Sequence, residues 1–248
     1  MPGVIERMLA TMRSFFGEFA KASPRGSVFE LPGVTACLVP ALGQRSVFNC
    51  VVYERAEDLE AGLDEVAAAY DGAGVEAWTV WSHESDLRAA DVLERAGHKL
   101  DASPAAMVLD LASFDDPPTA GGFEIDDDPS TEDAIPVLES SYGWSIRPGF
   151  GGWGAGTWPY MARVDGRAAA VLGIHDLAGD AGVFMVGTAP EARGRGLATA
   201  LMQRALFDAR ERGCDISSLQ ATRMGAAVYA RLGYRTHGRV NMWERRRS

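Results

Sequence analysis

Apolar residues near the start of the chain recur every three or four positions, through Val4, Ile5, Met8, Leu9, Met12, Phe15, Phe16 and Phe19. That spacing is one face of an amphipathic helix. Glu6, Arg7, Arg13 and Glu18 interrupt the run, so it lacks the unbroken apolar stretch of an export signal. It reads instead as a helix packing on the domain. Further on, "VEAWTVWS" (Val75 to Ser82) has strand character, with Trp78 and Val80 on one face and Thr79 and Trp81 on the other. A helical pattern, "LEAGLDEVAAAYDGAG", precedes it.

From Gly122 the pattern reads as strand "GFEI", helix "TEDAIPVLESSY", a Gly/Trp-rich segment "GWSIRPGFGGWGAGTW", then strands "PYMARVDG", "RAAAVLGIHDL" and "AGVFMVGT". Asp165-Gly166 between two apolar runs is a strong hairpin signal. A helix starting near Gly196 follows, with Leu197, Leu201, Ala205 and Leu206 on one face. The result is an α+β pattern of mostly antiparallel strands flanked by helices.

Two segments repeat this grammar. "DVLERAGHKLDASPAAMVLDL" (Asp91 to Leu111) and "AVYARLGYRTHGRVNMWERR" (Ala227 to Arg246) each read as a short helix, a Gly at its C-terminus, a strand, a turn and a final strand. Aligning Gly97 with Gly233 sets Leu93 opposite Tyr229. The polar, Pro- and Gly-rich "DDPPTAGG" (Asp115 to Gly122) is the best linker between the two copies. The expected organisation is therefore a first domain at 1–114 opened by its helix, a linker at 115–122, and a second domain at 123–248.

Composition narrows the function. The chain carries a net charge of -10, which argues against a general nucleic-acid binder. The charge is uneven: residues 1–120 hold 9 basic and 19 acidic side chains, whereas from Arg193 onward 12 arginines face only Asp208, Glu211, Asp215 and Glu244. A cationic region on an acidic protein suits a small polyanion. The longest apolar stretches, such as "AAAVLGI" (Ala168 to Ile174), fall well short of the roughly 18 residues a membrane span needs, and no membrane association is expected. Cys37, Cys50 and Cys214 form neither a disulfide framework nor a CxxC zinc site. We therefore expect a cytoplasmic protein without a metal.

The segment "VGTAPEARGRGLATALMQRAL" (Val186 to Leu206) concentrates the candidate chemistry. A strand leads into the loop and a helix leaves it, and the first turn of that helix offers free N–H groups and a partial positive charge. Gly194 and Gly196 let an anion approach the main chain, and Arg193 and Arg195 add charge. A phosphate or pyrophosphate is the preferred ligand. The sequence lacks the Gly-Lys-Ser/Thr of a Walker A loop, having Gly196-Leu197-Ala198 there. It also has Thr199 where a dinucleotide fingerprint needs a third Gly or Ala.

"RGRGLA" (Arg193 to Ala198) resembles the Arg/Gln-x-x-Gly-x-Gly/Ala acetyl-coenzyme A motif of the GNAT superfamily of N-acetyltransferases, through Arg193, Gly196 and Ala198. "AVYARLGY" (Ala227 to Tyr234) resembles that family's fourth helix and the strand after it. The likeness covers roughly residues 122–244 as a complete domain, and the first half resembles a degenerate copy, as in tandem GNAT proteins. The resemblance implies acetyl-CoA contacts at Val186, Gly187 and Thr188, along Arg193, Gly194, Arg195, Gly196, Leu197, Ala198 and Thr199, and at Thr222, which stands where many members have an Asn. It implies a splayed sheet at Val186 and a main-chain N–H there to polarise the thioester. Tyr229 falls where members place the general acid for the leaving thiolate.

The expectation is thus an acyltransferase moving acetyl from acetyl-CoA directly to a primary amine, with a non-catalytic acyl-CoA sensor or scaffold as the alternative. His175, Asp176 and Glu139 are candidate bases, and Trp153 and Trp158 candidate walls of the acceptor pocket. The acceptor is a small molecule or peptide, for which the acidic first half favours a cation. The state is a monomer or homodimer.

Overall fold

The computed structural model describes residues 3–114 and 122–247; the expected linker, apart from Gly122, lies outside the described residues. In chain order the first half runs α1 (Val4–Ala22), β1 (Ser27–Leu31), β2 (Val34–Leu38), β3 (Cys50–Tyr53), α2 (Ala56–Gly72), β4 (Ala77–His83), α3 (Leu87–Arg95), β5 (Lys99–Ala102) and β6 (Ala105–Asp110). The second runs β7 (Glu124–Asp126), α4 (Thr131–Tyr142), β8 (Thr157–Val164), β9 (Arg167–Leu177), β10 (Asp180–Thr188), α5 (Leu197–Glu211), β11 (Ile216–Ala221), α6 (Ala226–Arg231) and β12 (Arg235–Arg246).

Local chemistry fixes many of these boundaries. Ser130 caps α4 by accepting from the Asp133 amide at 3.1 Å, and Gly143 ends that helix at φ 75°. Asp165 and Gly166 both take positive φ, at 50° and 74°, as a two-residue hairpin with a primed turn requires.

The described strands form one sheet in the order β1-β2-β3-β4-β12-β6-β11-β10-β9-β8-β7, with β5 against β12. Only β3–β4 and β10–β11 are parallel pairs. Helices α1 and α4 cover one face and pack into a core containing Phe15, Phe16, Phe19, Ile135 and Leu138. The other face carries two cores, one under α5 built on Leu197, Leu201 and Leu206, the other under α2 and α3 built on Leu59, Val66 and Leu93. Met8, Met12, Phe15 and Phe19 of α1 are all but inaccessible. At about 2 kcal/mol for each large apolar side chain buried, α1 is integral to the fold. Among the described residues no helix is long and apolar enough to cross a membrane.

The sheet differs from the sequence reading at the two expected turns. Neither Ser103-Pro104 nor His237-Gly238 reverses the chain. Instead the β5–β6 segment and β12 run antiparallel past each other, pairing Val108 with Arg235, Ala105 with Arg239 and Lys99 with Glu244. Past the crossing each enters the other half's sheet: β6 pairs with β11, from Asp110 opposite Ile216 to Ala105 opposite Ala221, and β12 pairs with β4, from Val240 opposite His83 to Arg246 opposite Ala77. Pro104 has no N–H to donate, but its carbonyl accepts from the Val240 amide at 3.0 Å. Gly238, at φ 91°, absorbs the register shift between Thr236 and Arg239. Residues 3–114 thus lend their last strand, β6, to the sheet built by residues 122–247, and receive β12 in return.

Candidate active site

Strand β10 pairs with β11 only over Asp180–Gly182, opposite Ile216–Ser218. Beyond Gly182 the two strands part. On its other edge β10 carries a bulge: Phe184 lies opposite Gly173 and Gly187 opposite Val171, leaving one extra residue at Met185–Val186. Met185 takes φ 57°, in the left-handed region that side chains with a Cβ rarely occupy. A bulge bends its strand and re-aims the backbone, and here it sits at the opening between β10 and β11.

A cavity of about 640 Å³ fills that opening, with Val183–Thr188 on one side and Leu219, Gln220 and Thr222 on the other. The loop 189–196 closes one end. Gly194 and Gly196 stand at φ 74° and 78°, and a Cβ at either would meet nothing within 4 Å. Their backbone needs glycine, and open space lies in front of them. Gly196 is the N-cap of α5, and no side chain caps that helix, so its first amides are free for an anion. The Arg193 guanidinium rests against the carbonyls of Thr188 at 3.4 Å and Ser141 at 3.5 Å. Arg195 is exposed and has no ion-pair partner among the described residues.

Of the residues singled out from sequence, Val186, Gly187, Thr188, Arg193, Ala198, Thr222 and Tyr229 line the one cavity. Gly194, Arg195 and Gly196 form the adjoining loop. The Leu197 side chain is buried under α5, so only its amide is placed for a ligand, and Thr199 lies one residue beyond the wall. Tyr229, on α6, has no hydrogen-bond partner for its hydroxyl among the described residues, and burial pushes its pKa up to about 12. Thr222 Oγ1 accepts from the Gly225 amide at 3.2 Å, so this hydroxyl also shapes the turn into α6.

Tyr142 escaped the sequence reading. It ends α4 beside the cavity, and its hydroxyl donates to the carbonyl of Val186 in the bulge at 3.5 Å; burial raises its pKa. The only available signal was the i, i+4 continuation of the helix's apolar face from Leu138 to Tyr142.

The candidate bases lie elsewhere. His175 is buried between Ser14 Oγ at 2.8 Å and Thr157 Oγ1 at 2.9 Å, and burial lowers its pKa. Asp176 is held by Arg212, with contacts of 2.5 and 3.2 Å. Glu139 Oε1 accepts from Ser145 Oγ and from the amides of Ile146 and Arg147, which lowers its pKa. None of the three lines the cavity. The proposed acceptor walls are also displaced: Trp153 is buried against Phe150, and Trp158 is 47% exposed beneath Arg212. The glycine-rich segment packs on α1, where a Cβ at Gly151 would collide with the carbonyl of Ala22.

Aromatic rings from both halves form the remaining wall. Phe15 stacks on Phe184 at 3.8 Å between centroids, Phe16 lies 6.2 Å from Trp81, and Phe48 meets the edge of Trp144 at 5.9 Å.

Residues 169–237, spanning β9 to the start of β12, match the acetyltransferase (GNAT) domain family. A mycothiol acetyltransferase of Tsukamurella paurometabola is 28% identical over 256 residues, covering 88% of this chain and 84% of that protein. Among solved structures, a GCN5-related N-acetyltransferase from Kribbella flavida superposes with a TM-score of 0.73 at 19% identity, over 98% of this chain and 96% of that one. A tandem GNAT protein from the clavulanic acid biosynthesis pathway gives 0.60 at 16% identity, over 99% and 97%. These two likenesses are of fold.

Proposed function

We propose that this chain, whose residues 169–237 match the acetyltransferase (GNAT) domain family, transfers the acetyl group of acetyl-CoA to a primary amine by direct attack in a ternary complex. One observation carries this reading: the arginine–glycine loop, the β10 bulge and the unpartnered Tyr229 hydroxyl all adjoin the same cavity.

In this reading the pyrophosphate lies on the amides of Arg193–Thr199 at the start of α5, with Arg193 and Arg195 supplying charge. The pantetheine arm enters the opening beyond Gly182 and pairs with the main chain of Val186–Thr188, as a further strand would. An amide of the bulge, at Val186 or Gly187, polarises the thioester carbonyl, and Thr222 contacts the donor with its hydroxyl.

The amine nitrogen attacks the carbonyl carbon. As the tetrahedral intermediate collapses, the C–S bond breaks and the leaving thiolate meets Tyr229. A thiol has a pKa of about 8.5 and Tyr229 one of about 12. The phenol therefore stays protonated throughout the working range and stabilises the thiolate mainly as a hydrogen-bond donor. The proton released by the amine passes to water, since among the described residues no carboxylate or imidazole lines the cavity.

Residues 123–248 then form the donor-binding unit. The first half provides no second donor site: Leu93, at the position of Tyr229, is fully buried in its core. Calorimetry with acetyl-CoA followed by a CoA-release assay over an amine panel tests this reading. Tight binding with turnover supports it, whereas tight binding without turnover of any amine favours an acyl-CoA sensor.

A further inference from the structure

The far wall of the cavity bears on the identity of the acceptor. It is built from Phe15, Phe16, Phe48, Trp81, Trp144 and Phe184, contributed by α1, β4 and β10 and by the segments before β3 and after α4. Among the described residues no Asp, Glu, His or Lys lines the cavity, and the one formally charged side chain in its wall, Arg193, stands at the phosphate-loop end.

Five carboxylates of the acidic first half pair with arginines outside the cavity. Glu57 and Glu60 pair with Arg88, Glu60 and Asp91 with Arg95, Glu54 with Arg13, and Asp58 with Arg55. They form an outer surface, not the wall of the site. The cation attraction suggested by the charge of that half therefore has no counterpart where the acceptor must sit. Several of the rings already have partners for a face: Phe15 and Phe184 cover each other, Phe48 stacks on Phe19 at 4.8 Å, and Trp144 holds the Arg45 guanidinium at 4.7 Å.

The cavity passes through the sheet. Tyr229 and Ala198 lie on the α5 face and the six rings on the α1 face, where Val47 and Trp144 form a half-exposed rim. Lined from both faces, the cavity suits two substrates that meet at the bulge, the donor from the loop and the acceptor from the aromatic side.

Resting on the transferase reading above, we infer that the acceptor is a primary amine carried on an aromatic or aliphatic skeleton and bound uncharged. The apolar wall disfavours an ammonium ion and so lowers the pKa of the bound amine. This supplies the neutral nucleophile that the reaction needs without a protein base. A polyamine or aminoglycoside would have to leave several charges unpaired against the rings.

The test begins with acetyl-CoA binding by calorimetry; absence of binding would overturn the transferase reading itself. Given binding, CoA release is measured with 2-phenylethylamine and hexylamine against spermidine and kanamycin. We expect kcat/KM for the first pair to exceed that for the second at least tenfold. Val47→Asp, at the half-exposed rim, should reduce that ratio at least tenfold while leaving acetyl-CoA affinity unchanged. Equal or better use of spermidine or kanamycin, no turnover of either apolar amine, or an unaltered ratio in V47D would overturn the inference alone. So would a preference for phenylacetyl-CoA over acetyl-CoA without a preference among amines, which would give the chamber to the acyl group.

Discussion

The indole Nε1 of Trp243 donates to Ser82 Oγ at 3.1 Å, within the buried core of the first half and 161 residues away in sequence. The last strand of the second half is thus locked into the sheet of the first, as β6 is locked against β11.

Residues 1–114 and 123–248 expressed apart should therefore each lack a strand and fail to show a cooperative thermal transition. Mixed or co-expressed, they should associate and melt together. Circular dichroism melts of each fragment and of the mixture check this. Trp243→Ala in the full chain should cost about 3–5 kcal/mol, read by denaturant unfolding.

Tyr229→Phe should lower kcat about 100-fold and leave the Kd for acetyl-CoA within threefold, because the ring remains and only the hydroxyl is lost. Single-turnover kinetics beside calorimetry separates the two effects.

The pH dependence of kcat/KM should follow the amine. Of the ionisable groups lining the cavity, Tyr142 and Tyr229 have pKa values raised by burial. The profile should therefore rise with pH toward the free amine's own pKa, and exchanging one amine for another of lower pKa should move the limb by the difference.

Asp180 is fully buried with one oxygen bonded to Ser218 Oγ at 2.7 Å, and burial raises its pKa to about 6. The folded state holds this proton more tightly than the unfolded chain, whose pKa is about 3.9. The associated stability is fully present below about pH 4 and lost as pH rises through 6, a change of about 3 kcal/mol. Stability of the wild type minus that of Asp180→Asn should accordingly fall between pH 4 and pH 7. Urea unfolding of both proteins at each pH measures it; a constant difference would contradict the assignment.

The features legible in the sequence were local ones. Helix α4 and strand β9 coincide with the segments read from the sequence pattern, because their boundary signals, Ser130, Gly143 and the Asp165-Gly166 turn, act within a few residues. The arginine–glycine loop was legible for the same reason. The exchange of β6 and β12 was not: a strand, a short break and a second strand look alike whether the chain turns back or crosses over. Ring partners such as Phe15 and Phe184 lie far apart in sequence, so nothing local marks them as one wall. The burial of His175 was not legible either, because it depends on Ser14, which only the packing of α1 brings within 2.8 Å.

The central claim is that the loop before α5 holds the donor. Calorimetric titration with acetyl-CoA of the wild type beside an Arg193→Glu/Gly196→Glu double variant tests it most directly, with thermal melts showing that both are folded. The variant places two carboxylates where phosphates would meet the helix N-terminus, and one of them at a left-handed position. The account predicts submicromolar to micromolar binding at about one site per chain in the wild type, weakened at least 100-fold in the variant. Equal affinity in the two folded proteins, or no binding by either, would contradict it.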